Sequence, residues 1–123
     1  MPVLTIKTNV EASKIPEGFK EETVALLSEI LKEAQEGVFV IVDFNPDTTF
    51  GGEHNPCALC ALESVGMFQT SHVPPEEIER VLGPHLCSKL GLEMDRMSIL
   101  YNGRLLESNG KNNHKFSGNF GVS

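Results

Sequence analysis

With 123 residues, 40% of them apolar and 22% charged, the chain has material for one compact domain and too little for two. Its 17 acidic side chains outnumber 10 basic ones, a formal charge of −7. That balance argues against a nucleic-acid binder, which needs a basic patch to release counterions, and against docking on an anionic membrane. Three cysteines cannot close a full disulfide framework, so a reducing compartment is the default reading.

The chain opens Met1-Pro2-Val3-Leu4-Thr5-Ile6-Lys7, where polar residues arrive before a signal-peptide core can build. Apolar runs such as Val38-Phe39-Val40-Ile41-Val42 fall far short of the roughly 20 residues that span a bilayer. The expectation is a cytoplasmic chain with no membrane insertion. Any action outside cells would require release by a non-classical route.

Val3 to Val10 alternates and is rich in β-branched residues, which predicts a strand partly buried on both sides. Ile15-Pro16-Glu17-Gly18 breaks the pattern and places a proline at a helix start. From Phe19 to Ala34 the positions Phe19, Leu26, Leu27, Ile30, Leu31 and Ala34 share one helical stripe. Gly37 stands where a helix C-cap is expected. A second strand, Val38 to Phe44, ends at the turn signal Asn45-Pro46-Asp47.

The second half repeats this order. Cys57 to Val65 reads as a largely apolar strand closed by Gly66. Pro74-Pro75-Glu76-Glu77 opens a helix, with acids where the macrodipole favours them. Ile78, Val81, Leu82, His85, Leu86 and Leu90 follow at helical spacing, and Gly91 ends the run. Gly83-Pro84 should kink this helix or split it. Met97 to Tyr101 is the last strand. Asn102 to Ser123, rich in Gly, Asn and Ser, reads as turns with one short ribbon near Phe116 to Phe120.

The result is an α+β chain: a βαβ-βαβ pseudo-repeat with a four-stranded sheet and two helices on one face. A single domain spans 1–123, with an irregular tail over 103–123. Several strands are apolar at both parities, so helices on one face leave the other as an exposed apolar surface. A symmetric homo-oligomer would bury it.

Pro2 is the most informative residue. Removal of Met1 would leave its ring nitrogen as a secondary amine. A free α-amino group has a pKa of about 7.7–8.0, and an apolar pocket would lower it towards neutrality. Such an amine can accept a carbon-bound proton, where general bases contribute roughly 10²–10⁴-fold. The plain alternative is a proline that only starts a strand, where a missing N–H does no harm.

Four segments carry a resemblance: Met1 to Val10, Ile15-Pro16-Glu17-Gly18-Phe19, Phe50-Gly51-Gly52, and Asn55-Pro56-Cys57-Ala58-Leu59-Cys60-Ala61-Leu62-Glu63-Ser64-Val65-Gly66. Together they resemble the macrophage migration inhibitory factor family of the tautomerase superfamily, without gaps over residues 1–66. Asp95-Arg96-Met97 and Phe116-Ser117-Gly118 extend the likeness. The resemblance implies the family's mixed-sheet fold and a homotrimer whose sheets face inward. It also implies keto–enol tautomerisation of small aromatic α-keto acids such as phenylpyruvate and of dopachrome-type compounds. Pro2 would be the catalytic proton acceptor and donor, with no cofactor. A cytokine-like role through a cell-surface receptor is implied as well.

The likeness departs at several places. The family's substrate-binding lysine lies in a Gly-Lys-Pro turn after the first helix, and the matching residue here is Glu33, with Lys32 just before it. Lys32 would serve only if the helix end shifts, because a helix turns about 100° per residue. Ser64 and Val65 match pocket-lining positions. A family tyrosine is Ser98 here and a family asparagine is Leu100. A catalytically weak ligand that acts by receptor binding is therefore the alternative function.

Cys57-Ala-Leu-Cys60 allows a third reading, thiol–protein oxidoreductase chemistry, which the resemblance also implies. A redox pair usually sits at a helix N-terminus, whereas this one falls in a strand. Zinc needs about four ligands, and one cysteine pair with His54, His85 and Cys87 elsewhere lacks the matched second pair. No metal is expected. His72 and His114 read as surface residues, and Glu76, Glu77 and Glu79 as a solvated helix face.

Overall fold

A computed structural model describes residues 1–65 and 73–104. Among these residues the main elements are, in order, β1 (Pro2–Thr8), α1 (Phe19–Leu31), β2 (Phe39–Phe44), β3 (Ala58–Val65), α2 (Pro75–Leu90) and β4 (Met97–Arg104). The sheet order is β2-β1-β3-β4. β1 runs parallel to β2 and β3 parallel to β4, while β1 and β3 meet antiparallel at the centre. Each βαβ half thus makes one parallel pair, and the two halves join into one mixed sheet. This is the predicted pseudo-repeat.

β1 shows why the helices lie on one side. Pro2, Leu4, Ile6 and Thr8 are buried, while Val3, Thr5 and Lys7 between them are more open. Register carries that parity across the sheet. Leu4 lies beside Leu62, which lies beside Tyr101, and Ile6 beside Cys60 and then Ile99. Leu27 and Leu31 of α1 and Ile78, Leu82 and Leu86 of α2 close over this surface. Full burial of each aliphatic side chain contributes about 1.5–3 kcal/mol. No described helix lies on the opposite surface. There Phe39, Ile41 and Leu59 are 52%, 45% and 43% exposed.

Three expectations change. α1 ends at Leu31, short of Ala34, and Gly37 is not its cap. Lys32 takes the left-handed cap at φ 58°, its N–H donating to the Ser28 carbonyl. The Ser28 hydroxyl then donates to the Glu33 carbonyl, and the Glu33 N–H returns to the Ser28 carbonyl at 3.2 Å. One serine captures the departing chain, and Gly37 falls in a separate 3₁₀ turn, Gln35–Gly37. The second helix is not split at Pro84, which lies inside a continuous α2. Pro84 removes the N–H that would reach the Arg80 carbonyl, but both residues are exposed, so water can satisfy that group. Gly83 has no Cβ to meet the proline ring. The last strand is also longer than expected, continuing past Tyr101 to Arg104.

α2 does end as predicted. Gly91, at φ 71°, caps it in the left-handed region, its N–H donating to the Cys87 carbonyl. The ribbon near Phe116 to Phe120, the tail beyond Arg104, and Gly66, His72 and His114 lie outside the described residues.

Candidate functional site

Pro2 is the first residue of β1, where a missing N–H interrupts little of the ladder. Its antiparallel neighbour is Ser64, followed on β4 by Gly103. Pro2 belongs to the helix-facing row, and its side chain is almost fully buried. Met1 beside it is 61% exposed. With Met1 attached, the Pro2 nitrogen is an amide and has no basic lone pair. Without Met1 it would be an amine in a water-poor setting, which disfavours its charged form. Val65 closes β3 one residue beyond Ser64, opposite Arg104.

One row further along β1 lie Leu4, Leu62 and Tyr101. The Tyr101 hydroxyl is buried and finds no hydrogen-bond partner among the described residues. Burial first, then the carboxylates of Glu79 and Glu76 with Cys60, push its proton affinity well above the ordinary phenol range. Tyr101 therefore stays a neutral phenol, able to donate.

Lys32 is placed elsewhere. It lines an open groove of about 500 Å³ between the helices, with Glu29, Pro74, Glu77 and Arg80, and Pro2 is not part of that lining. The left-handed cap gives Lys32 a direction unlike that of a helical residue, so continuing the helical rotation by one residue does not describe it.

Ser98 and Leu100 fall on the helix-free surface, because Ile99 and Tyr101 between and beyond them take the helix-facing parity. They lie across the sheet from Pro2. Within one chain they cannot share a pocket with it.

All three cysteines are free and buried. Cys57 precedes β3, so strand alternation does not govern it. Its N–H donates to the Asn9 side-chain oxygen at 3.0 Å, and its carbonyl accepts from the Thr8 hydroxyl at 2.7 Å. Burial and then the neighbouring Cys87 push the Cys60 thiol up to about 12. Burial raises Cys87 as well. Neither is a ready nucleophile at neutral pH. Among the described residues, no group of three or more His, Cys, Asp or Glu is arranged to hold a metal ion. No described helix is long and apolar enough to cross a membrane.

Two residues whose roles the sequence did not disclose hold the loop between β2 and β3. The Asn9 amide donates to the carbonyls of Thr48, His54 and Asn55 at 3.3, 3.0 and 3.2 Å. The Arg96 guanidinium donates to the carbonyls of Phe50, Glu53 and Asn55 at 2.9, 3.1 and 2.9 Å, and its Nε to Pro56 at 3.4 Å. It also lies 5.4 Å from the Phe50 ring centroid. Both occur in the motifs that carry the resemblance, yet nothing in their spacing reveals that they grip one loop.

The family model described as macrophage migration inhibitory factor matches residues 1–113. Macrophage migration inhibitory factor of Mus musculus is 34% identical over 104 residues, covering 82% of this chain and 86% of its own length. D-dopachrome decarboxylase-B of Xenopus laevis is 26% identical over 101 residues, covering 82% and 85%. The solved structure of macrophage migration inhibitory factor from Trichinella spiralis superposes with a TM-score of 0.71 at 30% identity, covering 84% of this chain and 88% of that one.

Proposed function

Given that the chain belongs to the macrophage migration inhibitory factor family, we propose that it is a keto–enol tautomerase with Pro2 as its base. The buried position of Pro2 at the head of β1 carries this reading. Likeness to a protein named D-dopachrome decarboxylase-B supports isomerase-type chemistry on dopachrome-like substrates, and phenylpyruvate-like keto acids are the substrates proposed beside them. Removal of Met1 exposes a secondary amine that is neutral because its surroundings are apolar. The amine takes the proton from the carbon next to the keto group, and the carbonyl electrons move to oxygen as the enolate forms. The resulting pyrrolidinium returns that proton to the enolate oxygen. The step is a net isomerisation and needs no cofactor or co-reactant.

Lys32, Ser64 and Val65 are the proposed substrate contacts. Their assignment requires Lys32 to reach from the interhelical groove. We place the pocket between subunits of a homotrimer, because Ser98 and Leu100 can approach Pro2 only from a second copy. The exposed Phe39, Ile41 and Leu59 supply an apolar surface for that assembly. The whole chain, 1–123, is proposed as one domain.

The test is phenylpyruvate enolisation by the wild type and by Pro2→Gly. A loss of roughly 10²–10⁴-fold is expected, and equal rates would overturn the amine mechanism. Intact-mass measurement decides whether Met1 is removed.

A second reading is a cytokine-like ligand, present in the cytoplasm and released by a non-classical route, that binds a cell-surface receptor. Likeness to Mus musculus macrophage migration inhibitory factor supports it. Glu33, Ser98 and Leu100, where the family motif differs, favour it over an efficient enzyme. The thiol–protein oxidoreductase reading through Cys57 and Cys60 has less support, since a thiol raised to about 12 yields little thiolate. Insulin reduction unchanged in Cys60→Ser would dismiss it.

A further inference from the structure

The helix-free surface of the sheet carries one charge close to Pro2. Its row at that end reads Phe39, Val3, Glu63 and Asn102 across β2, β1, β3 and β4. The next row, from Ile41 to Leu100, is uncharged, and Lys7 and Asp43 stand in the row after it. Glu63 is half-buried there, and an acid in neutral company needs a partner. The Asn102 amide supplies one, donating to the Glu63 carboxylate at 3.0 Å. An ionised carboxylate only accepts, so it is the amide nitrogen that faces it. Two adjacent strands thus hold one negative charge in a set place.

That place adjoins the proposed base. Glu63 faces Val3 across the β1–β3 pair, and Pro2 faces Ser64 one residue on. Facing residues of antiparallel strands have Cβ atoms about 4.5–5.5 Å apart. The Pro2 ring nitrogen belongs to the main chain, so it lies in the sheet and is within the field of either surface. The surface that a second copy would bring to Pro2, with Ser98 and Leu100, continues into Asn102 and its partner Glu63. Lys32, the cation proposed as a substrate contact, lines the interhelical groove, and Pro2 is not part of that lining. In that position Lys32 does not offset Glu63.

We propose that Glu63, held by Asn102, sets the substrate class of the Pro2 site, favouring neutral or cationic carbonyl compounds over α-keto acids that carry a carboxylate. The inference rests on the tautomerase reading and narrows it. A bound carboxylate would bring a second negative charge beside the first, where partial burial weakens screening by water. Taking the charge from the substrate, or from residue 63, removes that repulsion. Glu63 takes no part in the proton transfer itself, so its effect falls on binding.

The test compares kcat/KM of the full chain for phenylpyruvate and for its methyl ester, which share the reacting carbon and differ by one negative charge. In Glu63→Gln the ratio of phenylpyruvate to ester should rise roughly tenfold over the wild type, mainly through KM for phenylpyruvate. In Asn102→Asp, which adds a like charge to the pair, the ratio should fall. The intrinsic reactivity of the two compounds, and any effect of a substitution on the amine, act alike in these comparisons and cancel. An unchanged ratio in Glu63→Gln overturns the inference and leaves the tautomerase reading standing. Turnover of neither compound by the wild type overturns both. Should Glu63→Gln fail to fold, Asn102→Asp decides, and a ratio that does not fall there sinks the inference.

Discussion

Lys32 stands at a backbone position that suits glycine, φ 58° at the end of α1, and is the one non-glycine among the described residues with a positive φ. A side chain in the left-handed region costs about 1–2 kcal/mol, because Cβ crowds the following carbonyl. The cap is nonetheless held by Ser28, whose hydroxyl and carbonyl both engage Glu33. Lys32→Gly should therefore stabilise the fold by about 0.5–1 kcal/mol, after subtracting the extra backbone entropy of glycine in the unfolded chain. Urea unfolding measures this, and a lower midpoint for the variant would contradict the strain argument. Neither the cap nor its serine was legible beforehand. Residues 19–34 keep an apolar stripe through Ala34, and periodicity does not register one side chain reaching five residues along. His85 shows the same limit from the other side. It was legible as a member of the apolar stripe of α2, but its partner Thr23, whose hydroxyl lies 2.9 Å from its Nε2, was not, because the two are brought together only by helix packing.

The pairs of strands and helices were legible because their signals are local. Alternation in β1, the stripe of α1, the prolines and acids before α2, and Gly91 after it each lie within a short window. The loop from Asn45 to Cys57 carries a local turn signal only at Asn45-Pro46-Asp47, and the rest of it is held largely by distant donors. Arg96 supplies the larger share, four carbonyl bonds in a fork that a lysine cannot reproduce. Bonds from charged donors contribute about 1.5–3 kcal/mol where they are well formed, and partial exposure reduces that value here. Arg96→Ala should cost about 1–2 kcal/mol of stability and speed hydrogen exchange across residues 50–56. Arg96→Lys should recover only a minor part, since one ammonium cannot span carbonyls from Phe50 to Pro56. Full recovery by lysine would mean that charge, and not the planar fork, holds the loop.

Across the whole molecule the decisive asymmetry is between the two surfaces of the sheet. One is sealed by α1 and α2. The other presents Phe39, Ile41 and Leu59 with Ser98 and Leu100 beside them. Strands apolar at both parities made an exposed apolar surface legible, whereas the placement of Ser98 and Leu100 on it required the register. Leu59 is a discriminating position, because it lies on central β3 between Lys7 and Ser98, away from Pro2 on the opposite surface. Leu59→Arg should leave the monomer fold intact while placing a charge in the proposed assembly interface, where burial of leucine would contribute about 1.5–3 kcal/mol per subunit. Sedimentation should then show monomers with unchanged far-UV circular dichroism. If the pocket lies between subunits, phenylpyruvate turnover should fall with the oligomer, although Pro2 is untouched. Recovery of turnover at protein concentrations high enough to restore the oligomer would tie activity to assembly. A Leu59→Arg monomer with full turnover would place the whole pocket within one chain and leave Ser98 and Leu100 without a part in it.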